Sequence, residues 1–336
     1  MNSNVIYAIA VIIATKNRAD ALSKYALRSL ARSLYRKFVC VVWDASDDES
    51  SRKVIDGEFW PFSVIYCPAP RAGSSSQRND AVDYVLASHP EVKYIVFIDD
   101  DCELSEDALQ GVFATFQEKD ARIVNIPMRP LGSHSKKPRT TDLLKRFLGM
   151  NRHGAFPFLY NYGDEDEASG IDIEWASGGG MAVDITVFRD ENLRFPEAFQ
   201  RFGGYALGED FAFSYFVFKK LGKRIVNSVY GHFLHYAAGS ARLDIERMAA
   251  SKWYNFHLLF DAIYDDVGGL KKWWLKLQFK VFMCGAALKL LIRARSLDIF
   301  SVLKGIGAAR SALREYHQTE DIRTLIRKNN PVEDCE

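Results

Sequence analysis

Three consecutive aspartates, Asp99, Asp100 and Asp101, close the apolar run Tyr94–Ile98. Such a run suits a buried strand, so the carboxylates emerge together at its C-terminal end. Three adjacent like charges repel one another, and packing alone gives no reason for them. A divalent cation among them does. Hard oxygen ligands suit Mg²⁺ or Mn²⁺, which in turn hold a diphosphate. The plainer alternative is a solvated acidic turn capping a helix that begins near Leu104. In the metal reading Asp101 is the ligand, Asp99 reaches the ribose or the metal, and Asp100 points into the sheet or toward a sugar. Downstream, His235 or His232 could add an imidazole ligand, which Mn²⁺ accepts more readily than Mg²⁺; either could instead be a histidine packed beside aromatics.

A second acidic pair, Glu209-Asp210, follows Gly208 at a turn-to-helix junction. Asp210 there could act as a general base with Glu209 as its neighbour, or the pair could simply favour a helix N-terminus. Arg71 and Arg78 have the bidentate geometry that diphosphates attract, although Arg78 could equally be structural. Asp44 could accept from a pyrimidine imide N–H, with Thr15 and Asn17 around the base, or could cap an acidic turn. Trp175 could stack on a sugar face or fill a core.

The elements that must position these residues alternate. Strands are expected over Val5–Ala14, Phe38–Trp43, Phe62–Tyr66, Lys93–Ile98 and Ile123–Pro127, with helices over Ala19–Ser33 and Ser76–Ala87. A further helix is expected from Gly208-Glu209-Asp210 through Leu221. Strand–helix alternation predicts an α/β fold with a mostly parallel, Rossmann-like sheet that binds ligands at strand C-termini, where the first polar clusters fall. Met128–Glu174 reads as a long irregular stretch, a length that in compact domains goes with function or mobility.

The chain has 336 residues, 48% hydrophobic and 26% charged, enough for a substantial core. Lys+Arg (44) nearly balance Asp+Glu (43), which gives no reason to expect nucleic acid as a partner. Five scattered cysteines without CxxC spacing indicate neither a zinc site nor a disulfide framework, and a reducing cytoplasm is expected. No signal peptide is apparent. From Lys271 to Arg314 ten basic residues face one acidic residue, Asp298. Trp274, Leu277, Val281, Cys284, Leu288 and Leu291 follow helical spacing, with Lys272, Lys276 and Lys280 expected opposite. Beside Trp273 and Trp274 this reads as a membrane-surface helix on an anionic leaflet, or as a helix packed on the catalytic unit with a solvated basic face. A transmembrane span is not expected, because Lys280 and Lys289 interrupt the apolar run.

Taken together, Val11–Arg18, Val41–Asp48, the Arg71–Asn79 loop with its Arg78-Asn79 pair, Phe97–Asp101 and Gly178–Met181 followed by Gly208–Asp210 resemble the family 2 glycosyltransferases of the GT-A fold. The resemblance covers roughly Val5–Ser240, and the order of five motifs carries it. It implies a nucleotide-sugar site built from Thr15, Asn17, Arg18, Asp44, Arg71, Arg78, Asn79, Asp99 and Asp100. It further implies a DxD metal site at Asp99 and Asp101, Trp175, Gly179 and Gly180 on the acceptor side, and Asp210 as base. The segment His232–Ser240 is similar to rhamnosyltransferase and galactofuranosyltransferase branches of that family, although the chain has Ala237-Ala238 and Tyr254-Asn255 where those carry Gly-Gly and Arg-Asn. The expected division is a catalytic unit over residues 1–245 and a helical C-terminal region over 246–336. The expected reaction is inverting transfer of one sugar from a UDP- or dTDP-sugar to a saccharide or lipid-linked acceptor. Two alternatives stand beside it. A nucleotidyltransferase uses a similar sheet but needs a glycine-rich loop where this chain has Thr15-Lys16-Asn17-Arg18; a non-catalytic carbohydrate-binding scaffold would not need its acidic residues.

Overall fold

The structure is a computed structural model that describes residues 7–129, 131, 170–203, 206–236, 244–293 and 298–319. Most of the irregular stretch after Met128, and the Ala237–Ser240 end of the histidine segment, lie outside the described residues.

Strand β1 (Ile9–Thr15) is buried almost throughout, because it lies in the middle of a sheet covered on both faces. Its side chains alternate. Ala10 and Ile12 enter one core, and Ile9, Val11 and Ile13 enter the other. β2 (Phe38–Asp44), β3 (Ser63–Pro68) and β4 (Tyr94–Asp99) join it in parallel, in the order β3-β2-β1-β4. Beyond β4 the sheet continues through β9 (Met181–Asp184), β6 (Ile123–Asn125), β10 (Ile225–Asn227) and β8 (Asp172–Ile173). β9 runs antiparallel to both its neighbours and the edge strand β8 runs antiparallel to β10, so the mostly parallel expectation holds with one reversed central strand and one reversed edge strand. A second, three-stranded sheet has the order β5 (Cys102–Leu104), β11 (Phe233–His235), β7 (Met128–Arg129). The residues after the aspartates therefore form a strand. The helix expected from Leu104 starts later, at Ala108 (α5, Ala108–Glu118), after Ser105 accepts the Ala108 N–H.

The Ala19–Ser33 helix forms in three pieces: α1 (Ala19–Ala21), a π-helical turn over Leu22–Leu27, and α2 (Arg28–Ala31). α3 (Ser50–Gly57) follows the acidic loop after β2, in a stretch for which no element was expected. α4 (Ser74–Ser88) follows Gly73, whose φ of +146° suits glycine alone. α6 (Thr186–Arg189) and α7 (Glu209–Leu221) precede three long helices, α8 (Ile245–Tyr264), α9 (Gly269–Arg293) and α10 (Asp298–Thr319). Tyr254 and Leu258 of α8, Phe279 and Met283 of α9, and Ala309 and Leu313 of α10 join the core that α4 and α7 share with the sheet.

Along α9 the packed side is that of Phe279 and Met283, whereas the stripe expected to be its apolar face is exposed. Trp273 is 62% exposed, Trp274 48%, Val281 56% and Leu288 56%. At 100° per residue, Lys272 lies opposite the stripe, on the side of Phe279 and Met283, whereas Lys276 and Lys280 turn progressively from that side onto one flank. No described helix is long and apolar enough to cross a membrane.

Helix α10 reaches α8 through Gly305, where an added Cβ would stand 2.2 Å from the Glu246 carbonyl oxygen; at Gly307 it would meet nothing within 4 Å. Gly307→Ala should raise stability by about 1 kcal/mol through helix propensity. Gly305→Ala should lower it by about 1–3 kcal/mol through overpacking. Urea unfolding of the two variants checks the opposite signs.

Candidate active site

Thr15, Asp44 and Asp99 end adjacent parallel strands, and strand register sets them side by side: Thr15 is level with Asp44, and Ala14 with Asp99. The polar ends of β1 and β2 are clasped across the loop. Asn17, at φ +55°, donates its backbone N–H to Ser46 Oγ (2.7 Å) and its amide to Asp47 (2.7 Å). Gln77 of α4 donates to the carbonyls of Thr15 and Trp43, 2.9 Å each, and so closes both strand ends from below. Asp44 is buried and accepts from the Ser46 N–H (2.9 Å), from Ser46 Oγ, and from the Tyr66 hydroxyl (3.2 Å).

The three aspartates diverge. Asp100 turns inward, buried, to accept the Thr15 hydroxyl at 2.7 Å, and burial raises its pKa to about 7 against the pull of Arg18. Arg18 spans the cluster, with Nη1 2.9 Å from Asp100 and Nη2 2.5 Å from Asp101. Asp101 faces His235 Nε2 at 3.2 Å. Burial alone would raise its pKa, but the His235 bond and the Arg18 charge hold it down at about 2. The same contact raises His235.

His235 reaches this position through the second sheet, where it pairs with Cys102 across the antiparallel β5–β11 ladder. Ligand atoms of Asp99, Asp101, Cys102 and His235 all lie within 4.8 Å of one another. Burial pushes the Cys102 thiol well above its ordinary range. The two carboxylates and the imidazole are a donor set that fits Mg²⁺ or Mn²⁺. His232 is outside this group; burial lowers its pKa and its N–H bonds Ser105 Oγ at 2.9 Å.

On the other side of Asp99 stands Arg78. Buried on α4, it places Nη2 2.9 Å from Asp99 and Nη1 2.6 Å from Glu209. The turn before β9 comes so close that a Cβ on Gly178 would lie 3.0 Å from Arg78 Nη2 and 3.1 Å from Asp210 Cβ. Gly178 donates its N–H to Asp210 at 2.8 Å, and Phe211 donates to the other carboxylate oxygen at 2.7 Å. Burial nonetheless raises the Asp210 pKa, and raises that of Glu209 against the opposing Arg78 charge. Gly179 and Gly180 face Phe233; Cβ atoms there would stand 3.1 Å and 2.6 Å from its ring. Trp175 stacks edge-on with Phe211, ring centroids 5.2 Å apart.

Two expected nucleotide contacts are engaged elsewhere. Asn79 brackets Phe195, donating to its carbonyl (2.9 Å) and accepting its N–H (2.8 Å). Arg71 pairs with Asp80 at 2.7 Å and with Glu197. Sequence reasoning missed Gln77, Tyr66 and Cys102. The signal for Gln77 was its place in the first turn of a helix that follows a glycine.

Residues 10–168 match the model of the family described as Glycosyl transferase family 2. The chain carries a family 2 glycosyltransferase domain. The match supports a glycosyltransferase over the nucleotidyltransferase alternative. Among solved structures, it is similar to residues 1–349 of S. aureus TarS in complex with UDP-GlcNAc, with 16% identity, a TM-score of 0.53, and 91% of this chain and 81% of that one covered. A mannosyltransferase from Pyrobaculum calidifontis, in complex with GDP-Man and Mn²⁺, has 15% identity, a TM-score of 0.49, and coverage of 94% and 76%. The first likeness shows the GT-A fold. No curated protein sequence matches the chain.

Removing one partner of a buried ion pair leaves the other charge uncompensated, at a cost of about 3–5 kcal/mol. Arg78→Met should therefore destabilise by that amount, and adding Glu209→Gln should restore part of it. A double-mutant cycle by urea unfolding checks this, and strict additivity would show that the pair is not coupled.

Proposed function

We propose that this glycosyltransferase is metal-dependent and inverting, and that it moves a single sugar from a UDP- or dTDP-sugar to a saccharide or lipid-linked acceptor. The observation that carries this is Arg78, one guanidinium touching both Asp99 of the candidate metal group and Glu209, the neighbour of the candidate base. Donor-side and acceptor-side chemistry thus stand one side chain apart. Asp99, Asp101 and His235 would hold the divalent cation, which would supply Lewis-acid compensation for the charge developing on the diphosphate. Arg18, already across Asp100 and Asp101, adds positive charge at the same strand ends. Asp44 at the end of β2, held by Ser46 and Tyr66, offers the acceptor that a pyrimidine imide N–H needs.

Asp210 takes the proton of the acceptor hydroxyl as its oxygen bonds the anomeric carbon and the bond to the diphosphate breaks. Its raised pKa makes it a stronger base than a solvated aspartate. One base opposite the leaving group gives inversion. The exposed Trp273–Leu288 stripe and the basic residues of α9 and α10 support placing the helical region from residue 246 onward against an anionic membrane surface, which brings the site to lipid-linked acceptors.

Thermal shifts with UDP-, dTDP- and GDP-sugars, with and without Mn²⁺, test the donor class, UDP-GlcNAc being the first to try. A Mn²⁺-dependent shift confined to pyrimidine donors is expected, and a shift with GDP-sugars alone overturns that assignment. Asp101→Ala should remove the metal-dependent part of nucleotide binding; unchanged Mn²⁺ dependence would release Asp101 from its role. In Asp210→Asn donor binding should persist while turnover drops by about 10²–10⁴-fold. Near-normal turnover would move the base to Glu209.

A further inference from the structure

The three C-terminal helices enclose an open groove of about 580 Å³, within the range of roughly 300–1,000 Å³ usual for small-molecule sites. Its walls are Trp253 of α8, Phe279 and Met283 of α9, and Leu313 of α10. Its edges carry Lys280, Arg310 and Arg314. Phe279 and Met283 belong to the core, so the floor is rigid. Arg310 is held in place, with its guanidinium 5.3 Å from the centre of the Trp253 ring.

An apolar trough with a cationic edge selects for an amphiphile whose head is anionic. Among the described residues, the nearby carboxylates are engaged elsewhere. α9 contains none. On α8, Glu246 pairs with Lys304 and Asp261 with His317 (3.3 Å), and on α10 Glu315 pairs with Arg201. His257 spends its Nδ1–H on the Trp253 carbonyl at 2.6 Å, which leaves the walls poor in partners for a peptide backbone. A second copy of the chain is disfavoured too, since a two-fold contact through this face would set these cations against themselves. The groove also opens onto the exposed stripe of α9, because Cys284 belongs to both.

We propose that the groove binds a single-chain amphiphile with a phosphate head, its chain along Phe279, Met283 and Leu313 and its phosphate gripped by Lys280, Arg310 and Arg314. Three cations lining one groove match a phosphate monoester better than the single charge of a phosphodiester. The site deepens the membrane-surface reading above and rests on it only for the source of the ligand, a leaflet lying against the stripe.

The test is calorimetric titration of the full chain with dodecyl phosphate below its micelle concentration, beside dodecyltrimethylammonium and inorganic phosphate. One dodecyl phosphate per chain is expected, bound at least about tenfold more tightly than the cationic amphiphile, with inorganic phosphate undetectable. Arg310→Glu with Arg314→Glu should weaken binding about tenfold or more. So should Cys284→Trp, which plugs the groove from an exposed position. Both variants should keep the wild-type melting temperature and nucleotide-induced shift. Equal affinity for the two amphiphiles, equal binding of inorganic phosphate, or indifference to both variants overturns the proposal. So does a dimer in sedimentation velocity that Cys284→Trp dissociates. Co-sedimentation with phosphatidylserine vesicles separates the two readings. Vesicle binding without dodecyl phosphate binding removes the groove and leaves the membrane surface; the reverse removes the membrane surface and leaves the groove.

Discussion

A single buried guanidinium organises the candidate active site of this fold. Arg78 sits on α4, under the sheet, with one nitrogen on Asp99 at the end of β4 and another on Glu209 at the start of α7. Without it, Asp99, Glu209 and Asp210 would crowd like charges into a water-poor space, which burial makes costly. Its presence constrains everything around it. The turn before β9 passes so close that a Cβ at position 178 would crowd both Arg78 and Asp210. Once that turn is fixed, its N–H lands on Asp210 and orients that carboxylate. One electrostatic requirement thus ties together a helix, a strand end and two turns far apart in sequence.

Arg18 does similar work on the opposite side of the aspartates, and the two arginines together sort three chemically identical neighbours into three environments. Asp100 is drawn inward to Thr15 and Arg18, Asp101 is held ionised between Arg18 and His235, and Asp99 answers to Arg78. Adjacent carboxylates on an extended strand would point alternately to opposite faces. Leaving the strand at Asp99 lets the chain turn through Asp100 and Asp101 before β5, so the groups can spread around a point.

Much of this is legible in the amino-acid sequence alone. The strands ending at Thr15, Asp44 and Asp99 announce themselves by β-branched, apolar runs that stop at polar residues, because a parallel strand buried on both faces has no other composition available. The parts that stay hidden depend on pairing between distant segments. Nothing local to Phe233–His235 says that it will lie antiparallel to Cys102–Leu104, yet that register alone brings His235 to Asp101 and leaves His232 outside. Nor does the Gly178–Met181 sequence say that β9 enters the parallel sheet reversed, between β4 and β6. Arg78 is legible as a residue of two possible roles; the choice needs α7, whose Glu209 lies 131 positions further on.

The C-terminal helices show how periodicity can identify a face and still mislead about its destination. Helix α9 has two apolar sides. The stripe with the clearer spacing, Trp274 to Leu288, is the one left in solvent, while the core takes Phe279 and Met283. A hydrophobic pattern records that a surface is meant to leave water; it does not record what will cover it. Here the side that meets the rest of the chain is the other one, with Phe279 against His257 and Phe260 of α8. Exposed tryptophans beside a flank of lysines, on a helix without a single carboxylate, call for a partner that is apolar within and anionic at its surface. Those are the properties of a lipid leaflet, and they are the same two properties that the adjoining groove combines on the scale of one molecule.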